Sequence, residues 1–404
     1  MEELTVHYIL ESPLDQRDYA RFGIDVIKKS FRVRIWDISP FHCPELYSLR
    51  MRSGGVFRTP ESTLYENEAA TLGALSKLGE NDVVVCLPRY APQSLRLLRA
   101  LGQSRAKLGT IALNALPGAE MSPLPNIYNQ PILQMLKKVS TAVRCPTKVI
   151  EKVWRNIVER VPPLALGVRA YDFILASGIR SLDGIKIMGE RTKVLWSHSF
   201  DYELYLKERL SGADIESGEH VVFLDEYVPF HQDYVFQGIA PPVTAEEYYP
   251  ALVRFFEKIE QLTGKTVVIA AHPRSNYDRH PDYFGDRKVI LGQTPRLVSS
   301  AALVLSHSST AISYAVLAKK PVVFITFSKF WNRFEGSLAR TMSRLLNKVP
   351  ITIDAPSLRF ELQNELTIDE KAYESYIKNY IKGSETSGES QWLALCEYLN
   401  VQNG

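Results

Sequence analysis

The chain has 404 residues, 45% apolar and 23% charged, and its 48 lysines and arginines against 45 aspartates and glutamates leave a formal net charge of +3. That composition fits a globular protein of two or three domains, and it lacks the concentrated basic character that a nucleic-acid partner requires. Cys43, Cys86, Cys145 and Cys396 show no CxxC spacing, which argues against a zinc site or a disulfide framework, so no metal is expected. The opening MEELTVHYIL lacks the basic and long apolar regions of a signal peptide, and no stretch reaches the ~20 apolar residues of a membrane span. The expected location is cytoplasmic, or peripheral at the inner membrane face.

In chain order, Thr5 to Leu10 reads as a strand, 15–29 as a helix anchored on Tyr19, Phe22, Ile24, Val26 and Ile27, and FRVRIWDI (31–38) as a second strand. Apolar runs at 82–87, 107–113, 171–176 and 193–196 add strands, with helical periodicity at 65–78 and 92–104 between them. Segment 130–160 reads as two helices divided near Pro146, with Lys137, Lys138, Arg144, Lys148, Lys152, Arg155 and Arg160. It is either a solvated face or a surface that docks on anionic lipid or a lipid-linked acceptor. The polar stretch SGADIESGEH (211–220) marks a domain boundary. A second series follows: strands at 221–224, 266–271, 288–291, 302–306 and 321–326, helices at 245–262 and 309–318, and a helical segment at 366–400. Strands alternating with helices predict an α/β fold with mostly parallel sheets. The division expected is 1–215, 216–365, and C-terminal helices at 366–404 that could cross back to the first domain.

In open α/β sheets ligands bind beyond the carboxyl ends of the strands. VVFL ends in Asp225-Glu226-Tyr227, TVVIAA in His272-Pro273-Arg274, and ALVLS in Ser306-His307-Ser308-Ser309-Thr310. A carboxylate at a strand end can serve as general base or simply cap the next turn. Pro273 holds His272 extended, and imidazole, guanidinium and hydroxyls together suit a phosphate, although one serine is explained by helix capping alone. In the first half, Asp15 lies in the loop after the first strand, Asn114 follows another strand, and His198 and Asp201 follow KVLW; these are the acceptor or cleft candidates. The chain contains no GxxxxGK[ST], HExxH or GxSxG, and no GxGxxG after the first strand.

The ordered set LDEY (224–227), HPR (272–274) and SHSST (306–310) resembles the acidic, HP and Ser/Thr motifs of bacterial sialyltransferases, polysialyltransferases and capsule Kdo transferases. Those are GT-B glycosyltransferases, with two Rossmann-like domains facing a central cleft. The resemblance implies a metal-independent transfer of an acidic sugar (sialic, pseudaminic or legionaminic acid, or Kdo) from a CMP-sugar to a glycan or lipid-linked acceptor. It implies Asp225 or Glu226 as base, with His272, Pro273, Arg274, Ser306, Ser308, Ser309 and Thr310 around the donor nucleotide and phosphate. No cofactor is implied, because the nucleotide sugar is a substrate. Tyr227 stands where the motif has glycine. The alternatives are a GT-B enzyme using a UDP- or GDP-sugar, an epimerase of the same fold, and a non-catalytic nucleotide-sugar-binding subunit. Against a UDP or GDP donor, the helix AISYAVLAKK carries no glutamate to hold the ribose.

Overall fold

The computed structural model describes residues 4–115, 117–118, 154–155, 157–158, 160–210, 218–237, 239–358, 360–383 and 390–401. Most of the basic segment at 130–160 lies outside them.

Thirteen strands among the described residues form two wholly parallel sheets. The first orders β3-β2-β1-β4-β5-β6-β7, from β1 (Thr5–Leu10), β2 (Arg32–Asp37), β3 (Ser62–Leu64), β4 (Asp82–Cys86), β5 (Lys107–Ala112), β6 (Phe173–Ala176) and β7 (Lys193–Trp196). The second orders β10-β9-β8-β11-β12-β13, from β8 (His220–Leu224), β9 (Val267–Ala271), β10 (Val289–Leu291), β11 (Ala301–Ser306), β12 (Val322–Thr326) and β13 (Ile351–Thr352). Both are doubly wound, and this is the GT-B-like arrangement expected from the sequence. The central strands are buried along nearly their whole length, as in β9 and β12. Helices covering both faces of a parallel sheet produce such continuous apolar runs.

The strand order reverses between β1 and β4 in the first sheet and between β8 and β11 in the second. Those two points are where a doubly wound sheet opens a crevice at its carboxyl edge. At the second, Leu224 is in register with Ser306 of β11 and Ala270 of β9. The chain segments leaving all three strands therefore emerge side by side.

Six helices matter for the site. They are α1 (Gln16–Arg21), α2 (Phe200–Leu210), α3 (Ala245–Thr263), α4 (Ile312–Leu317), α5 (Phe334–Leu345) and α6 (Gln391–Val401). Helix α3 starts at a Thr244/Glu247 capping box and buries Tyr248, Leu252, Phe255, Phe256 and Ile259 on the second sheet. The single helix expected at 15–29 is two short ones, broken at Gly23 with φ +60. A Cβ there would sit 2.2 Å from the Trp392 ring. The helix expected at 366–400 is also broken. Glu370–Tyr376 and the π turn Ile377–Ile381 pack in the second domain. Helix α6 then places Trp392, Leu395, Cys396 and Leu399 in the core of the first. The helices α2 and α5 and the short edge strands β3 and β13 are additions to the pattern read from the sequence.

Candidate active site

A cavity of about 960 Å³ lies between the two sheets, within the range of small-molecule sites. Its second-domain wall carries Asp225, Glu226, His231, His272, Pro273, Ser308, Ser309 and Thr310. Its first-domain wall carries Arg17 and Arg21 of α1, and Asp201, Glu203 and Lys207 of α2 close the junction. The three polar strand ends therefore meet in one place.

The two adjacent carboxylates do different things. Asp225 is buried and its oxygens are occupied by protein donors: the backbone N–H of Tyr227 at 2.9 Å, the backbone N–H of His272 at 3.1 Å and the Tyr277 hydroxyl at 2.8 Å. Burial pushes its pKa up to about 6, against the pull of those hydrogen bonds. Asp225 thus ties the exits of β8 and β9 together. Glu226 is half-buried, and its carboxylate accepts from the Ser308 N–H at 2.5 Å and the Ser308 hydroxyl at 2.9 Å. Burial pushes it up to about 7; the Ser308 donors oppose this and the Asp225 charge adds to it. A carboxyl titrating near neutrality on a cavity wall is suited to proton transfer.

Tyr227, where the motif it resembles in sequence has glycine, has φ +52 and ψ +37. This is the left-handed conformation that glycine adopts without cost. The tyrosine ring packs against Phe230 and Tyr277.

His272 is half-buried. Its Nδ1 accepts from the Arg274 backbone N–H at 3.2 Å, so the neutral ring carries its proton on Nε2. Burial, then the nearby His231, Arg274 and Arg17, hold its pKa down to about 3. It is a neutral N–H donor beside the His231 ring, 5.1 Å away between centroids. His307, by contrast, is consumed by the core. Its Nδ1–H donates to the Ile325 carbonyl at 2.9 Å and its Nε2 accepts from Tyr248 at 2.9 Å. Burial holds it neutral, with a pKa lowered to about 4.

The Ser/Thr run is a turn ahead of a short helix. Helix α4 begins at Ile312, whereas a helix from 309 was expected. The Ser306 hydroxyl accepts from the Ser309 N–H at 3.3 Å beneath the loop and does not line the cavity. Ser309 lines it and accepts from Ala311 N–H at 3.3 Å, and Thr310 is exposed at the rim.

Four further candidates have other positions. Arg274 is not on the cavity wall; its charge lies among Arg50, Asp18, Arg17 and Asp15 of the first domain. Asp15 caps α1 through the Asp18 N–H at 2.7 Å and pairs with Arg50 at 3.4 Å. His198 is fully buried under the crossing segment, bridged to Lys382 and 3.6 Å from Glu203. Asn114 braces Arg21, whose Nη2 donates to the amide oxygen at 2.6 Å in the orientation that satisfies both ends of the amide. Asp201 does reach the cavity, where it accepts from the Tyr314 hydroxyl at 3.2 Å.

Sequence reading did not single out Arg17, Arg21, Arg333 or Glu335. Arg17 is exposed to the cavity and makes no ion pair among the described residues. Its charge nevertheless reaches His272 across the cleft. Glu335, at the start of α5, has a buried Oε2 without a hydrogen-bond donor among the described residues, 3.5 Å from Arg333 Nε. Among the described residues no helix is long and apolar enough to cross a membrane, and no three His, Cys, Asp or Glu side chains form a metal-ligand set.

No family model matches this chain, and no curated protein sequence matches it. Solved structures of similar fold include the Methanocaldococcus jannaschii UDP-GlcNAc 2-epimerase in complex with UDP-GlcNAc and UDP. That protein is 11% identical with a TM-score of 0.45, over 98% of this chain and 100% of its own. A putative UDP-N-acetylglucosamine 2-epimerase from Listeria monocytogenes is 11% identical with a TM-score of 0.46, over 100% and 96%. The wall teichoic acid polymerase TagF is 9% identical with a TM-score of 0.47, over 99% and 90%. At such values the likeness is loose, and it carries no inference about chemistry.

Proposed function

We propose that this chain is a GT-B nucleotide-sugar enzyme that transfers a glycosyl group to an acceptor hydroxyl. The observation that carries the reading is the meeting of Glu226, His272 and Ser309-Thr310 on one wall with Arg17 and Arg21 on the other, around one cavity. As the bond from the anomeric carbon to the phosphate oxygen breaks, the leaving nucleotide gains negative charge. The His272 Nε2–H, the loop hydroxyls and Arg17 are placed to stabilise it by preorganised electrostatics. Glu226 takes the proton of the attacking acceptor hydroxyl, and Asp225 holds the β8 and β9 exits in place.

The donor we put first is a nucleoside-diphosphate sugar, with UDP the first nucleotide to try. Donors on opposite walls suit the two charges of a pyrophosphate. Glu335 of α5 lines the cavity and brings there a carboxylate of the kind a ribose hydroxyl can meet, beside Arg333 at 3.5 Å, whereas α4 carries none. The CMP-linked acidic sugar is the second reading, favoured by Arg17, which makes no ion pair among the described residues and can equally take a sugar carboxylate.

The test is thermal stabilisation by UDP, GDP, CDP and CMP, in wild type and His272→Ala. Nucleotide at a hundredfold excess over Kd adds about 2.7 kcal/mol. Stabilisation that is lost in His272→Ala supports the reading, and the nucleotide that acts assigns the donor. No response to any of them overturns it. Product analysis of the assigned donor with candidate acceptors then separates transfer from epimerisation.

A further inference from the structure

Two hydrogen bonds between the exits of β8 and β11 cross the second-sheet crevice. The Glu226 carboxylate, leaving β8, takes both the backbone N–H and the hydroxyl of Ser308, leaving β11. Ser308 lies in the loop with Ser309 and Thr310, and all three line the cavity with Glu226. Its two donors are therefore spent on an internal carboxylate where the donor's phosphate is expected. Building on the nucleotide-sugar reading, we infer that Ser308 has two mutually exclusive partners: it positions Glu226 in the free enzyme and turns to the donor phosphate once the nucleotide sugar binds.

Two consequences follow from charge alone. A phosphate that displaces Glu226 strips the carboxylate of two donors and sets an anion beside it, so the protonated carboxyl is favoured on binding. Donor binding is then opposed by ionised Glu226, whereas the transfer step requires the ionised form as proton acceptor. The proton taken up on binding returns to solvent before transfer, and the ionised group, free of Ser308, is then a stronger base that can meet an acceptor hydroxyl. This makes the donor the first substrate to bind and the acceptor the second.

Other titratable groups surround Glu226 in the cavity, Arg17, Arg21, Asp201, Glu203 and Lys207 from the opposite side among them. Asp225 is on its own turn and stays bound to Tyr227, His272 and Tyr277. His307 and Tyr248 bond to each other. The Tyr234 hydroxyl hydrogen-bonds Glu335 and feels the charges of both Glu226 and Arg333. His272, His231 and Asp233 share the cavity. All of these groups, and the titration of the nucleotide itself, are common to wild type and Glu226→Gln, so the difference between the two proteins isolates Glu226.

The experiment is calorimetric titration with UDP and CDP from pH 6 to 8.5, in buffers of different ionisation enthalpy. It uses wild type, Glu226→Gln, Ser308→Ala and the double variant. Relative to Glu226→Gln, wild type should lose about tenfold in affinity for each pH unit above 7 and should take up an additional proton on binding. Ser308→Ala should weaken nucleotide binding several-fold more in the Glu226→Gln background than in wild type, because a glutamine amide donates to the Ser308 hydroxyl instead of accepting from it, which leaves the O–H free for the phosphate. Equal pH dependence in wild type and Glu226→Gln, or an equal effect of Ser308→Ala in both backgrounds, overturns the exchange while leaving the nucleotide-sugar reading in place. Binding to none of the four proteins overturns both.

Discussion

The contrast between the two adjacent carboxylates gives the sharpest test, through Glu226→Gln. The glutamate is held at about 7 rather than its usual 4.5, chiefly by burial. Such a displacement disfavours the ionised form by about 3 kcal/mol. Glu226 is partly open to the cavity, and solvent screening trims this to about 1–2 kcal/mol. The sign follows from linkage. With the folded pKa above the unfolded one, the penalty is absent below pH 4.5, grows between 4.5 and 7, and is complete above 7. Glutamine is isosteric and keeps both Ser308 contacts, since its oxygen can accept the N–H and its amide can donate to the hydroxyl. Glu226→Gln should therefore match wild type near pH 4.5 and exceed it by about 1–2 kcal/mol at pH 8. That corresponds to roughly 2–8 °C in Tm for domains of this size. Urea denaturation of both proteins at pH 4.5, 6 and 8 measures the difference directly. The same variant should lose transferase activity once a donor is assigned. A variant less stable than wild type by the same amount at every pH would refute the argument, because Glu226 would then be a structural acceptor like Asp225.

Asp225→Ala removes the acceptor of three hydrogen bonds and strands two backbone N–H groups in the interior. It should cost about 2–4 kcal/mol in chemical denaturation, net of the relieved charge burial. Tyr227→Val, at a φ of +52, should destabilise by about 1–2 kcal/mol, whereas Tyr227→Gly should fall within about 1 kcal/mol of wild type, as relieved backbone strain offsets lost ring packing. Gly23→Ala should lose about 2–4 kcal/mol, because its Cβ would lie 2.2 Å from the Trp392 ring. Paired with Trp392→Ala, the loss should be clearly less than additive in thermal unfolding.

The second domain was the more legible half of the sequence. Its central strands are buried on both faces, so each reads as an apolar run, and the polar residues that end the runs stand out. Parallel pairing then brings Glu226, His272 and Ser308 to one edge. What a single sequence hides is which side chain is spent on the fold. His307 and Asp225 look as functional as His272 and Glu226 until their partners are seen. Arg17 and Arg21 lie at polar positions of the segment expected as one helix at 15–29, and nothing local says that a second domain stands opposite. Glu335 opens a helix that was not read from the sequence, so its place on the cavity wall could not be seen there. The break at Gly23 depends on Trp392, a contact between the two ends of the described chain that periodicity cannot register.

That contact also sets the order in which the molecule can be finished. Helix α6 fills part of the first sheet's core, yet the ribosome makes it only after the whole second sheet. During synthesis the first domain must wait, with the surface destined for Trp392 and Leu395 uncovered, while the second domain completes itself. The half that emerges first is thus the last to close, and separating the halves by truncation would leave the earlier one without part of its own interior.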